Sequence, residues 1–198
     1  MKPYVITLSR QFASMGRAIA QSMSGELGIN FYDRDIVEET AKRLGLSVSY
    51  VSKVEETGAS FFTNLRYPLG MGLISTQKET FEIQSNIIRD LAQKESCIIV
   101  GRCADSVLRD HPRCLNIYIY APYEKRLANC IREYGMDASA AKRAIAEVDR
   151  AREIYRLQFS GDVRSVLDHR HIMLDSSRFG VDLSAKILSD IARRVFSD

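Results

Sequence analysis

The chain lacks the long apolar runs of a membrane protein. No stretch among its 198 residues approaches the roughly 20 apolar residues that a membrane-spanning helix needs. The apolar run near the N-terminus is short, lies between Lys2 and Arg10, and does not have the pattern of a secretory signal peptide. We therefore expect a cytoplasmic protein with no membrane partner.

Cysteine is scarce and scattered. Cys97, Cys103, Cys114 and Cys130 occur singly, without a Cys-x-x-Cys pair. This spacing disfavours a zinc site or a disulfide framework and favours reduced, structural thiols. We therefore assign no residue as a direct metal ligand.

Charge of one sign is not concentrated anywhere. The formal net charge is +3, and the basic residues are interspersed with acids. This mild excess favours a local anionic ligand over a nucleic acid partner. With 45% hydrophobic residues, the chain is long enough to bury one substantial core, and we expect a single domain over residues 1–198.

Short apolar runs alternate with amphipathic stretches. The runs predict strands at 4–8, 30–32, 96–100, 115–120 and 171–174. Because the third and fourth are almost continuously apolar, they should be buried on both faces, as in a parallel sheet between helices. The sequence thus predicts an α/β fold of three layers.

Glycines, a proline and capping patterns mark the helices between these strands. Gly28 and Gly45 should end the first two helices, and Ser47 opens a short third one. The next begins at a capping box at 76–79. The remaining helices are expected after Pro122, over 138–159, and from about Val181 to Val195. Residues 59–75 show no clear period and are either a mobile loop or contact surface, or a packed irregular loop.

The first strand runs through a tight loop into the first helix, as phosphate-binding loops do. The complete pattern is Gly, four residues, Gly, Lys, then Ser or Thr, in which backbone N–H groups and the lysine bind phosphates and the hydroxyl binds magnesium. With the second glycine on Gly16, the other positions hold Gln11, Arg17 and Ala18. The context supports a phosphate loop, although an ordinary strand-to-helix connection also fits it. Arg17 can take the lysine's place as a bidentate phosphate donor.

Three further charged positions are candidates for ligand binding. Arg102 follows the third strand, at the sheet edge where ligands of open parallel sheets bind. Asp33 follows the second strand, where it either orients a bound acceptor molecule or caps the second helix. The arginines of 138–159 either close over phosphates or form a solvated, ion-paired face.

The order of elements resembles nucleoside monophosphate kinases, with an acceptor-binding insertion at 34–93 and a lid-like insertion at 134–164. Four segments narrow the resemblance: Ser9-Arg10-Gln11-Phe12 with Gly16-Arg17, then 30–35, 98–105 and 174–180. Together they resemble the bacterial cytidylate kinase-like family, relatives of cytidylate kinase with an altered phosphate loop. The family-like loop reads Phe-Gly-Ser-Gly-Gly-Arg. Here Ala13 and Met15 replace two glycines, which disfavours positive φ angles.

The resemblance implies a P-loop NTPase fold and an ATP-dependent kinase acting on a nucleoside monophosphate or a related small metabolite. It places the phosphate loop at Ala13, Ser14, Met15, Gly16, Arg17 and Ala18. The acceptor site would hold Asp33, Arg34, Arg102 and Asp105, with Asp105 partly replacing an aspartate that the family has beside its Gly-Arg pair. The lid and donor site would hold Arg126, Arg143, Arg150 and Arg152.

The same resemblance implies Mg²⁺ beside ATP, held mainly by phosphates and water, with Asp33 or Asp105 acting through water. A homo-oligomer is compatible with the sequence. The alternative is a catalytically weak or inactive protein of the same fold that binds a nucleotide or another anion. Gln11, Ala13, Met15 and Ala18 favour this alternative, whereas Gly16, Arg17 and Arg102 favour the enzyme.

Overall fold

The five predicted strands form one parallel sheet. A computed structural model describes residues 2–45, 48, 72–160 and 169–197, with the backbone alone at 34 and 72–76. The strands are β1 (Val5–Arg10), β2 (Asn30–Tyr32), β3 (Cys97–Val100), β4 (Cys114–Tyr120) and β5 (Ile172–Asp175). Their order in the sheet is β2-β3-β1-β4-β5, and every neighbouring pair is parallel. The strand that precedes the candidate phosphate loop is therefore central.

Helices cover the sheet on two faces. They are α1 (Gly16–Leu27), α2 (Arg34–Leu44), α3 (Gly72–Lys94), α4 (Ala104–Val107), α5 (Tyr123–Tyr134), α6 (Ala138–Phe159) and α7 (Ser176–Phe196). On one face, Ile6 and Ile117 of the sheet pack with α1 and α7 in a core that includes Ile19 and Leu188. On the other face, residues of β1 and β3 pack against α2, α3 and α4. The predicted three-layer α/β fold is confirmed.

Some helix ends differ from the prediction. The helix expected to start at the capping box begins at Gly72, four residues earlier, because nothing between Gly72 and Thr76 breaks a helix. The last helix begins at Ser176, where the Asp175 carboxylate accepts a bond from the Ser177 N–H, and Gly180 interrupts it with φ 69°. The expected helix at 47–58 and residues 59–71 lie outside the described residues.

The ends at Gly28 and Gly45 are as predicted, since both glycines adopt the left-handed conformation that closes a helix. The range 138–159 is also as predicted. Among the described residues, no helix is long and apolar enough to cross a membrane.

All four cysteines are free thiols, as predicted. Burial, the largest cause in each case, raises the pKa of Cys97, Cys103 and Cys114 to about 12. At pH 8 about one in ten thousand of these groups should therefore be the reactive thiolate. We expect iodoacetamide to leave the three cysteines unlabelled in the folded protein and to label them in guanidinium, which peptide mass spectrometry measures. Rapid labelling of the folded protein would contradict the raised pKa of these thiols.

Candidate phosphate-binding site

The loop between β1 and α1, residues 11–15, keeps a glycine-like backbone without the glycines. Ala13 has φ 59° and Met15, at the N-cap position of α1, has φ 61°. The side chains of Ala13 and Met15 make a positive φ energetically costly, as the sequence predicts. The surrounding structure nevertheless holds both residues in this conformation. A non-glycine residue in this conformation costs roughly 1–2 kcal/mol. The loop therefore leads directly into α1. The N–H groups of the first turn of a helix have no partners within the helix, and they face outward from its N-terminus.

The loop is fastened to the ends of β4 and β5. Gln11, at the position of the first glycine in the complete pattern, accepts a bond from the Ala121 N–H through Oε1 at 3.2 Å. Ser14 is fully buried, and its hydroxyl donates to carbonyl oxygens of Gln11 and Ile119. The Ser176 hydroxyl donates to the Ser14 carbonyl at 2.7 Å. These bonds fix the loop to the carboxyl ends of β4 and β5.

We expect Met15→Gly to stabilise the protein by about 1 kcal/mol, because glycine adopts a positive φ without the steric cost. Urea unfolding would measure the change. Ala146→Gly is the matched control, since Ala146 is exposed in the middle of α6 and the same type of change should there cost about 1 kcal/mol. Equal destabilisation by both substitutions would contradict strain at Met15.

Charged side chains from separate elements meet beside the loop. Arg17 Nε lies 2.9 Å from Asp33 Oδ2, and Arg10 Nη2 lies 3.7 Å from Asp33 Oδ1. Asp33 is buried, whereas the Arg17 side chain is 57% exposed. Asp33 makes no capping hydrogen bond to its helix. Its carboxylate therefore serves the arginines, not the helix end.

Two glycines make room for the side chain of Arg10. A Cβ at Gly101 would lie 2.3 Å from Arg10 Nη1, and a Cβ at Gly16 would lie 2.8 Å from Arg10 Cβ. Gly101 also has φ 77° and is followed by Arg102 and Cys103, which have φ 59° and 50°. Three successive left-handed residues turn the chain sharply after β3. This turn brings Arg102 towards Arg10.

The positive charges around Arg10 contribute to a lowered pKa of its guanidinium. Burial lowers it most, and the charges of Arg152, Arg102 and Arg17 lower it further against the opposing effect of Asp33, to about 9. Arg10 still carries its charge at pH 7. We call Arg10, Arg17, Arg102 and Arg152, with Asp33, the arginine cluster. Four cations and one carboxylate leave the cluster an excess of positive charge, which suits a phosphate.

The helix α6 lies against both the loop and α3. Arg152 Nη1 donates to the Arg10 carbonyl at 3.1 Å, and its guanidinium carbon lies 6.0 Å from the centre of the Phe12 ring. One turn further, the Tyr155 hydroxyl donates to Gln84 Oε1 of α3 at 3.2 Å. Burial raises the pKa of Tyr155 above its usual range. α6 thus spans the site from the loop to the predicted acceptor insertion.

The sequence profile shows the family of the chain. Residues 5–178 match the sequence profile of the cytidylate kinase-like family. The chain belongs to this family. No curated protein matches the sequence.

Solved structures similar to this cytidylate kinase-like protein include kinases. An uncharacterized protein from Eubacterium ventriosum is 17% identical, with a TM-score of 0.68 and 99% of each chain covered. Shikimate kinase from Acinetobacter baumannii in complex with shikimate is 14% identical, with a TM-score of 0.55, covering 97% of this chain and 94% of that one. A gluconokinase from Sinorhizobium meliloti is 13% identical, with a TM-score of 0.55 and coverage of 98% and 97%. The fold is therefore that of the P-loop kinases.

The other charged residues that were predicted at the site have contacts of their own. Arg143 and Arg150 are exposed on α6, and Arg143 bonds to Ser139 of its own helix. Arg126 is buried and bonds to Phe12 and Asp149. Asp105 is buried, and its charge acts mainly on Cys103, Cys114 and Arg170. The side chain of Arg34 lies outside what the structure describes.

Arg10 is the site residue that sequence reasoning did not assign in this cytidylate kinase-like protein. Its segment, Ser9 to Phe12, supported the family resemblance, but Arg10 itself reads as the polar end of a strand. The one available signal was its position at the carboxyl end of the strand before the loop, where ligands of parallel sheets bind. Asp149 was also missed, because it lies among alternating charges on a helix.

Proposed function

We propose that the protein is an ATP-dependent kinase that transfers a phosphoryl group to a nucleoside monophosphate or a related small metabolite. The observation that carries the proposal is the arginine cluster, in which cations from β1, α1, the turn after β3 and α6 converge beside the phosphate loop. Phosphoryl transfer depends mainly on positioning and on neutralising the charge of the transferred group. A cluster of guanidinium groups from several elements supplies both.

The donor side is formed by the loop and Arg17. ATP would supply the phosphoryl group, with its phosphates at the N-terminus of α1, where unpaired N–H groups and the helix dipole favour anions. Arg17 is exposed enough to reach a ligand, and its guanidinium is preoriented by Asp33. Arg152 would contribute charge from the lid-like helix.

The acceptor side is formed by Asp33, Arg102 and the helices α3 and α6. Arg102 would bind the acceptor phosphate, while Asp33 would orient the acceptor and hold Arg10 and Arg17. Stacked Phe81 and Phe159, whose ring centres are 4.5 Å apart, join the two helices. We propose that 34–93 and 134–164 are the acceptor-binding and lid-like insertions of a single domain over 1–198, with Arg34 beside the acceptor.

The protein groups alone do not fit a tightly held magnesium ion. Ala18 has no hydroxyl, and among the described residues no three His, Cys, Asp or Glu side chains group closely enough to hold a metal. Asp33 is engaged by arginines. Magnesium would therefore arrive with ATP, held by phosphates and water, with Asp33 or Asp105 acting through water.

The proposal includes a cytoplasmic location, small-molecule partners and no nucleic acid or membrane partner. The mild net charge supports the absence of a nucleic acid partner. A homo-oligomer is compatible with it.

Thermal-shift measurements test the proposal. ATP, GTP, CMP, dCMP, UMP and AMP would be screened with and without magnesium, followed by coupled ADP release for each pair that binds. A ligand at 100 times its dissociation constant should stabilise the fold by about 2.7 kcal/mol. Absence of a shift with every nucleotide would refute nucleotide binding. Binding without ADP release would refute the kinase.

The second candidate function is binding of a nucleotide or another anion without turnover. It is favoured by the missing hydroxyl at Ala18 and by the Arg17–Asp33 contact, which already occupies the arginine in the lysine position. ADP release dependent on an acceptor distinguishes the kinase from this binding protein.

A further inference from the structure

The loop holds an unfavourable backbone conformation at two positions. Ala13 and Met15 have φ 59° and 61°, which glycine adopts freely and other residues do not. Such residues persist where their surroundings determine the backbone from outside. The structure should therefore contain groups that hold this loop, in addition to the bonds that fasten it to β4 and β5.

Side chains of α5 and α6 hold the backbone around Ala13. The Phe12 N–H donates to Asp149 Oδ1 of α6 at 2.7 Å, and Arg126 Nη1 of α5 donates to the Phe12 carbonyl at 3.3 Å. Arg126 also forms an ion pair with Asp149. Asn129 Nδ2 of α5 donates to the Ala13 carbonyl at 2.8 Å. We call Asp149, Arg126 and Asn129 the loop clamp.

Burial makes the clamp rigid. Ala13 is 4% exposed and packs with Cys130 of α5 and Ile145 of α6 in a small separate core. Arg126 is 8% exposed, so its charge depends on Asp149. Three of the four backbone polar groups of residues 12 and 13 are bound by side chains of α5 and α6. The loop conformation is thus determined by the lid-like helix and its neighbour.

We propose that Asp149, Arg126 and Asn129 are positioning residues that replace the missing glycine at position 13 by holding the Phe12–Ala13 part of the loop in its anion-binding conformation. The proposal rests on the proposed function, because it treats residues 11–18 as the phosphate-binding loop. It assigns Arg126 to the support of the loop, whereas the family resemblance implies a place in the lid and donor site. It also makes the loop conformation depend on α6.

A double-mutant cycle tests the clamp through anion affinity. Asn129→Ala should weaken the binding of pyrophosphate by about tenfold, since one hydrogen bond that fixes the Ala13 carbonyl is lost. In the Ala13→Gly background the same change should cost less than threefold, because glycine holds a positive φ unaided. Titration calorimetry measures the dissociation constant of pyrophosphate for the unmodified protein, the two single variants and the double variant. Equal losses in the two backgrounds would overturn the proposal.

Amide hydrogen exchange tests the clamp without any ligand. Asp149→Asn should speed exchange by tenfold or more at the Ser14 amide, which donates to the Gln11 carbonyl, and at the Ile19 amide of α1, which donates to the Met15 carbonyl. Glu147→Gln, at an exposed acid of the same helix, should leave both amides unchanged. Unchanged exchange in Asp149→Asn, or an equal change in Glu147→Gln, would overturn the clamp.

The two measurements separate this proposal from the proposed function. If the unmodified protein binds neither pyrophosphate nor ATP, the proposed function is refuted, and the exchange experiment alone decides the clamp. If Asp149→Asn does not fold, the exchange experiment is made with Asn129→Ala, for which faster exchange at Ser14 supports the clamp and unchanged exchange overturns it.

Discussion

Arg10→Met is expected to weaken the binding of ATP and pyrophosphate by roughly 10- to 100-fold, because charge-assisted hydrogen bonds contribute about 1.5–3 kcal/mol each. The free energy of unfolding should at the same time stay unchanged or rise. Arg10 is half-buried near three other arginines and has Asp33 as its counter-charge, so its charge is costly in the free protein. Methionine fills a similar length between Gly16 and Gly101 without that cost.

The opposite signs of the two effects make this prediction specific. Calorimetric titration gives the anion affinity, and urea unfolding gives the stability. Arg113→Met is the control, since Arg113 donates to the Phe196 carbonyl and lies over the Phe196 ring at 5.5 Å. That change should destabilise the fold and leave anion binding intact. If Arg10→Met lost stability and kept its affinity, Arg10 would be a structural residue.

The strands were predictable because their signal is local. The four successive apolar residues at Cys97–Val100 are typical of a strand that is buried on both faces. Gly28 and Gly45 similarly mark helix ends, because the absence of a side chain permits the left-handed conformation. The predicted start of α3, at the capping box, was too late in the chain. A capping pattern marks the start of a helix only where the residues before it are not helical themselves.

The meeting of Arg17, Asp33 and Arg102 was also within reach of the sequence. All three follow the carboxyl ends of parallel strands, which lie at one edge of a sheet. The role of Arg10 could not be predicted from the sequence, because it depends on the absence of side chains at Gly16 and Gly101. Of these two glycines, Gly101 is about ninety residues away from Arg10 along the chain. Local sequence gives no indication of that space.

The loop conformation was the least predictable feature. At Ala13 and Met15 the intrinsic preference opposes the observed φ, and the groups that compensate at Ala13 lie on α5 and α6. Asp149 reads in the sequence as one of several acids on an arginine-rich helix. Its contact with the Phe12 N–H follows only from the packing of α6 on the loop. Tertiary contacts here override a local preference.

Arg17→Ala should reduce the affinity for ATP by at least tenfold and leave the fold almost unchanged. Arg17 is the cation at the position of the loop lysine, so its removal eliminates a charged donor to the phosphates. Its contact with Asp33 is largely exposed on the arginine side and should contribute less than about 1 kcal/mol to stability. Arg17→Lys keeps the charge and should recover most of the affinity, although a point charge cannot reproduce a planar fork.

The measurement is ATP titration of Arg17→Ala, Arg17→Lys and Arg132→Ala. The last is the control, because Arg132 is similarly exposed on α5 and pairs with its neighbour Glu133 at 3.8 Å. It should bind ATP like the unmodified protein. An unchanged affinity in Arg17→Ala would show that the loop no longer binds the donor phosphates and would favour an anion site centred on Arg10 and Arg102. Restoration by lysine would instead show that the loop works as a phosphate loop despite the loss of Gly, Lys and hydroxyl at their usual positions.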